Sequence, residues 1–270
     1  MSTKKEPTFS EVINQAISAC DGAVSVEELA RRAMDIRMPT AKDPRKSMLK
    51  HIKEERGRSL IYLDKKTALP IRLAYNNIRF RMEVSRQFVK TGLLLLNAFA
   101  NYYTQILENP SFVDKKGKKI EHTIEEKTEK EKTFWGKSYE IEKTYVNLKA
   151  WVKKEKPTRK DHLLVSILDW EKAIFQLEIE PYKKRNIPLL EKRDKLLADT
   201  FFDILEHERH ETSNLFQAIP SAYARLPEKD GYPPHRYRTV IRNDKRMVSD
   251  GFQIEYSDGE RRSLFSSLSD

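Results

Sequence analysis

Apolar residues recur at helical spacing from the start of the chain. Phe9, Val12, Ile13, Ala16, Ile17 and Cys20 lie at i, i+3, i+4, i+7, i+8 and i+11, one face of a 3.6-residue helix, and Asp21-Gly22 ends it. Ser25-Val26-Glu27-Glu28 has capping-box spacing, with the Ser25 hydroxyl on the third amide and Glu28 reaching back. Leu29, Ala30, Ala33 and Met34 carry a second helix to Met38-Pro39. Asp43-Pro44 opens a third, Asp as N-cap and proline at the first helical position, where its missing N–H costs nothing. Gly57 supplies a left-handed stop. Leu60-Ile61-Tyr62-Leu63 and Ala68-Leu69-Pro70-Ile71, joined by Asp64-Lys65-Lys66-Thr67, predict a hairpin with a basic tip.

Alternation takes over beyond it. Ile71, Leu73 and Tyr75, then Ile78, Phe80, Met82 and Val84, predict a second hairpin turning at Asn76-Asn77, a pair that tolerates positive φ. Ser85 caps a short helix that stops at Gly92; Leu93 to Leu107 fits either strand or helix. Phe112-Val113, the Asp114-Lys115-Lys116-Gly117 turn and Ile120 predict a ribbon. Glu121 to Lys132, charge-dense and free of aromatics, reads as a mobile loop. Leu148, Trp151 and Val152 mark a short amphipathic helix. Leu163, Val165 and Ile167 pair with Phe175, Leu177 and Ile179 around Asp169-Trp170-Glu171-Lys172. From Leu189 to Glu208 runs the longest helical pattern, with Leu189, Leu190, Leu196, Leu197, Phe201, Ile204 and Leu205 near one face. Pro220, Pro227, Tyr232, Pro233, Pro234 and Tyr237 then predict a non-helical loop, and Val240-Ile241 with Phe252, Ile254 and Tyr256 a closing hairpin. The fold class expected is α+β in three parts: 1–73, 74–182 (mixed and β-rich) and 183–270 (long helix, loop and hairpin).

Three short helices and a hairpin within the first quarter of the chain describe a winged helix–turn–helix. Thr8-Phe9-Ser10-Glu11-Val12, Asp21-Gly22-Ala23-Val24-Ser25-Val26-Glu27-Glu28-Leu29-Ala30 and Asp43-Pro44-Arg45-Lys46-Ser47-Met48-Leu49 resemble the HARE-type winged helix. That family occurs in the RNA polymerase delta subunit, in some restriction endonucleases and in Asx-like chromatin proteins. The resemblance implies a winged-helix fold and a role in transcription or DNA processing, with double-stranded DNA or RNA polymerase as partner. Tyr62 stands where the family has an aromatic near the wing strand. In the middle part, the order short helix, basic turn, Asp161, strand, strand is similar to DNA-binding pseudobarrels such as the plant B3 domain, with Lys160 in place of that pattern's glycine.

Composition narrows the chemistry. Of 270 residues 39% are apolar and 34% charged, and Lys+Arg (51) minus Asp+Glu (41) leaves +10, a balance that favours a polyanionic partner. A lone cysteine, Cys20, excludes an internal disulfide and multi-cysteine metal sites; on the apolar stripe of the first helix it reads as a buried structural thiol. The closest two of the eight glycines are eight positions apart, so no phosphate-cradling glycine loop can be drawn. The nucleophile elbow and the paired-histidine zinc motif are missing as well. Met1–Pro7 has basic residues with no apolar run behind them, and Leu93–Ala100 is too short to span a bilayer. The reading is a soluble, cytoplasmic, non-enzymatic protein with no cofactor, metal or membrane contact.

The third helix carries the candidate site. Met48, Leu49 and Ile52 form its apolar side, and Lys46, Lys50 and Lys53 run opposite at i, i+4 and i+7, flanked by Arg45, Ser47 and His51. In a helix–turn–helix this element enters the major groove. Arg45 then forks onto a guanine edge, the lysines take phosphates, and Lys65 and Lys66 of the wing reach the adjacent backbone. A second basic stretch, Lys115–Lys160, has fifteen Lys/Arg against eight Asp/Glu, interleaved with Phe134, Trp135, Tyr139, Tyr145 and Trp151; its aromatics are expected in a core and its lysines in solvent. His207, His210 and Glu211 share a helical face but lack a fourth metal ligand. Glu125-Glu126-Lys127 has the E-x-K spacing of metal-dependent nucleases, yet falls in the expected loop with no Pro-Asp partner.

Overall fold

The computed structural model describes residues 6–96, 109–132, 138–208 and 212–257, and the fold is α+β. The chain opens with α1 (Phe9–Ser18), β1 (Val24–Ser25), α2 (Val26–Ile36) and α3 (Pro44–Glu54), followed by β2 (Leu60–Tyr62) and β3 (Thr67–Pro70). The three strands form one antiparallel sheet in the order β1-β3-β2. Val12, Ile13, Leu29, Ala30, Ala33, Met48, Ile52, Leu60 and Ala68 fill a core between helices and sheet. Cys20 is part of it, its thiol donating to the Ala16 carbonyl.

Local chemistry explains the helix ends, with one correction. The reciprocal capping box is at Thr8, whose hydroxyl accepts from the Glu11 amide while Glu11 returns to the Thr8 amide. Ser25 does accept from the Glu28 amide at 3.0 Å, but Glu28 turns outward to Arg31 and Arg32, both at 2.8 Å. Charge pairing one turn away wins over the return bond. Asp43 caps α3 through the Lys46 amide at 2.9 Å.

A larger core gathers the rest. Ile71–Tyr75, expected as a strand, is α4; Asn77 does adopt positive φ, but it links this helix to β4 (Arg79–Glu83). Then come α5 (Arg86–Thr91), β5 (Leu93–Leu95), β6 (Ser111–Asp114), β7 (Thr123–Lys132), β8 (Ser138–Asn147), α6 (Lys149–Glu155), β9 (His162–Asp169) and β10 (Ile174–Glu180). One sheet has the order β4-β9-β10-β6, with β6 parallel to β10; another has β5-β8-β7. The expected loop at Glu121–Lys132 is therefore mostly strand. It pairs with β8 over ten residues, and cross-strand Lys143–Glu129 (2.9 Å) and Lys130–Glu140 (3.7 Å) contacts replace the missing apolar alternation.

The C-terminal third is α7 (Ile187–Glu208), β11 (Thr212–Asn214), α8 (Leu215–Arg225), α9 (Tyr237–Asn243), β12 (Met247–Ser249) and β13 (Gln253–Tyr256), with sheet order β11-β13-β12. Pro220 lies inside α8, contrary to the expected loop. It removes one helical hydrogen bond, and burial of Ala218, Ile219, Ala222 and Tyr223 offsets that. Val240 and Ile241 are helical, so the closing hairpin is β12–β13. Leu189 points outward, 36% exposed. Leu197, Phe201, Ile204 and Leu205 of α7 share one cluster with Phe80, Val165, Phe175, Tyr223 and Ile254. Ile61 and Ile71 belong to this larger cluster as well.

Candidate nucleic-acid interface

The position of α3 follows from its inward side. Met48 and Ile52 are buried against α1 and α2. The buried Glu55 just past its end accepts from Ser10 of α1 at 2.7 Å and from Ser59 at 2.8 Å. The opposite face is left to solvent. Lys46, Lys50 and Lys53 are exposed and make no ion pair among the described residues. Lys65 and Lys66 are likewise exposed and unpaired at the β2–β3 tip. Asp64 fixes that tip by accepting from the Lys66 and Thr67 amides at 2.7 and 2.8 Å.

The other expected contacts are differently occupied. Arg45 is paired with Glu27 of α2 at 2.8 Å, though both side chains remain more than half exposed, and an exposed pair of this kind is worth at most about 1 kcal/mol. Ser47 is half-buried on the flank. His51 stacks on Phe9 with ring centroids 4.7 Å apart and meets Glu54 at 3.2 Å, so its ring is engaged with its own neighbours.

The second basic stretch is engaged internally only in part: Lys115 and Lys154 meet Glu178 and Asp114, whereas Arg159 and Lys160 make no ion pair among the described residues. Tyr145 and Trp151 are buried, as expected, but Tyr139, expected in the core with them, is 44% exposed on β8. The ribbon lysines 127, 130 and 143 each face a glutamate. Phe134 and Trp135 lie outside the described residues. Glu125 and Lys127 sit in strand β7, not in a loop, but the strand beside it, β8, contains no aspartate. Glu125 bonds Asn147 at 2.5 Å. No group of three or more His, Cys, Asp or Glu among the described residues is placed to hold a metal ion; the His207 and His210 side chains lie outside what is described.

One polar cluster was not anticipated from the sequence. The β4-β9-β10 register puts Arg79 and Arg81, His162, and Glu178 and Glu180 on the sheet face opposite Phe80, Val165 and Leu177. Arg81 is 1% exposed and pairs with Glu180. Tyr232 donates to Glu180 at 2.5 Å, and the Pro233 carbonyl accepts from Arg81 at 3.3 Å. Burial raises the Glu180 carboxyl pKa, but hydrogen bonds from Arg81 and Tyr232 more than reverse that, leaving it below its ordinary value. Arg81 also donates to His162 Nδ1 at 2.8 Å. A guanidinium has no acceptor, so Nδ1 accepts and the imidazole proton resides on Nε2. Burial, then Arg185 and Arg81, push the His162 pKa down to about 3. The remaining imidazole partner is His235, its ring 6.0 Å away and its Nδ1 2.6 Å from Asp194. A charged residue alternating with apolar ones in a strand ordinarily marks a solvent face; segments distant in sequence, Tyr232-Pro233 with Arg185 and His235, convert this part of it into an interior.

No family model, curated protein or solved structure matches the chain. No helix among the described residues is long and apolar enough to cross a membrane.

Proposed function

We propose that this chain is a non-enzymatic double-stranded DNA-binding protein acting in transcription, with α3 as recognition helix, β2–β3 as wing and the cytoplasm as its place of action. The observation that supports this most is the unpaired lysine row. Lys46, Lys50 and Lys53 stand exposed on one face of a helix whose other face is core, and Lys65 and Lys66 project from the adjacent hairpin tip. Unpaired surface cations keep their condensed-counterion gain when they meet phosphates, whereas cations already paired must first give up a carboxylate. Arg45 occupies the first turn of α3, the end that meets base edges in this docking mode, once it exchanges Glu27 for guanine.

Mobility-shift titrations of the full chain over a salt series test the reading. Affinity for duplex should fall steeply with salt, and K46A/K50A/K53A should flatten the log–log slope by up to about 3, near one for each phosphate no longer neutralised. An unchanged slope removes the helix from the interface. Retention of RNA polymerase after nuclease treatment, with no duplex shift at low salt, would replace DNA by a protein partner.

A further inference from the structure

Arg81 and Arg185 share a single carboxylate. Arg81 pairs directly with Glu180, while the Arg185 Nε stands 3.7 Å from it, beyond hydrogen-bonding reach. That Nε is buried with no hydrogen-bond partner among the described residues. His162 accepts from Arg81 and so contributes no charge. A second interior carboxylate, Asp161, also acts on Arg185, but its oxygens are taken by the Thr158 and Tyr182 amides at 2.6 and 2.8 Å. Arg185 itself donates to the Lys160 carbonyl, and its Nε is left without a partner, a costly state for a buried polar group. Arg81 is sealed. Arg185, its side chain 10% exposed, instead lines the wall of a cavity of about 880 Å³.

The same cavity is lined by Arg86, Arg159, Lys160 and Arg236, none of which forms an ion pair among the described residues. Its carboxylates are Glu83 and Glu129, and Glu129 is already taken by Lys143 at 2.9 Å and Tyr145 at 2.5 Å. The remaining wall is apolar: Met82, Val84, Phe88, Leu93 and Leu94. A volume in the range of about 300–1,000 Å³, one cationic corner and one apolar wall are the attributes of a small-molecule site. Arginine forks match the tetrahedral oxygens of a phosphate, and a dianion answers an excess of several positive charges better than a single carboxylate.

We propose that this cavity binds a small phosphate-bearing molecule, its phosphate held by Arg185, Arg159, Lys160 and Arg236 and its apolar body by Phe88, Leu93 and Leu94. The site lies outside α3 and the wing and stands apart from the DNA reading.

Calorimetric titration of the full chain at low salt, without nucleic acid, tests it with inorganic phosphate, phenyl phosphate and phenol. Inorganic phosphate should bind at one site, phenyl phosphate more tightly, and phenol not at all. R159Q/R236Q, two residues that are not buried, should weaken phenyl phosphate at least about tenfold and leave the circular-dichroism melt unchanged. K46A/K50A/K53A should bind it as the parent does. Absence of heat with both phosphate probes, equal affinity in R159Q/R236Q, or loss of binding in the lysine variant would each overturn the proposal.

Discussion

His162 shows how one side chain ties burial to pH. In the unfolded chain an imidazole titrates near 6.5, and in the fold burial and the Arg185 and Arg81 charges lower it to about 3. Between those values the unfolded chain binds more protons than the folded one, so stability rises with pH across the window. The His162 contribution is fully present above pH 6.5 and is lost as the pH falls toward 3. The limiting slope is about 1.4 kcal/mol per pH unit, and the residual exposure of the ring makes the observed slope smaller. H162Q retains a hydrogen-bond acceptor for Arg81 but cannot titrate. Urea midpoints between pH 6.5 and about 5, above the range where carboxylates dominate, should therefore slope less in H162Q than in the parent. Equal slopes would mean that the buried imidazole takes up its proton without penalty.

Elements with local signals were legible, and elements made by distant partners were not. Gly92 belongs to the first kind. It ends α5 at φ 75°, and a Cβ there would lie 2.5 Å from the Lys149 Cα. G92A adds left-handed strain to a backbone collision that no side-chain rotamer can relieve, and thermal melts should show a loss of more than about 2 kcal/mol. Asp43, Pro44 and Gly57 around α3 carry the same sort of near-neighbour information. By contrast, β7 has no apolar alternation of its own and is a strand because β8 supplies its charge partners. The segment 71–75 alternates like a strand but is helical, its Ala74 and Tyr75 packing in the larger cluster. Pro220 gives a genuine local veto that tertiary burial overrides. At the proposed interface the lysine row was legible because an amphipathic helix shows both faces in its spacing. The engagement of Arg45 by Glu27 and of His51 by Phe9 was not, since each partner lies on another helix.

Across the whole molecule, the division at residue 73 cuts through packing. The first unit has its own core, yet Ile61 and Ile71 are 1% and 5% exposed within the larger cluster. Polar ties cross at the same place. Arg225 donates to the Tyr62 carbonyl at 2.7 Å, and Lys229 to the Leu73 and Ala74 carbonyls at 2.9 and 3.0 Å. A fragment of residues 1–73 would expose both isoleucines and leave the Tyr62 carbonyl without Arg225. Removing one large apolar side chain from such an interior costs about 2–4 kcal/mol, a large share of the stability of a domain this small. The fragment should therefore exchange its α1 and α2 amides faster than the full chain does under the same conditions. I61A in the full chain should speed the same amides part of the way, because it breaks the shared packing and leaves the α1–α3 core intact. The β2–β3 hairpin inherits the consequence, since Ile61 and Tyr62 lie in the strand that leads to Lys65 and Lys66. The strand leading to those lysines is tied to α8 through Arg225, so on the proposed DNA reading I61A should weaken duplex binding without removing any cation, with the salt slope of the parent retained. Amide exchange in the fragment matching the full chain would show instead that the first unit stands alone and that the isoleucine contacts are incidental to it.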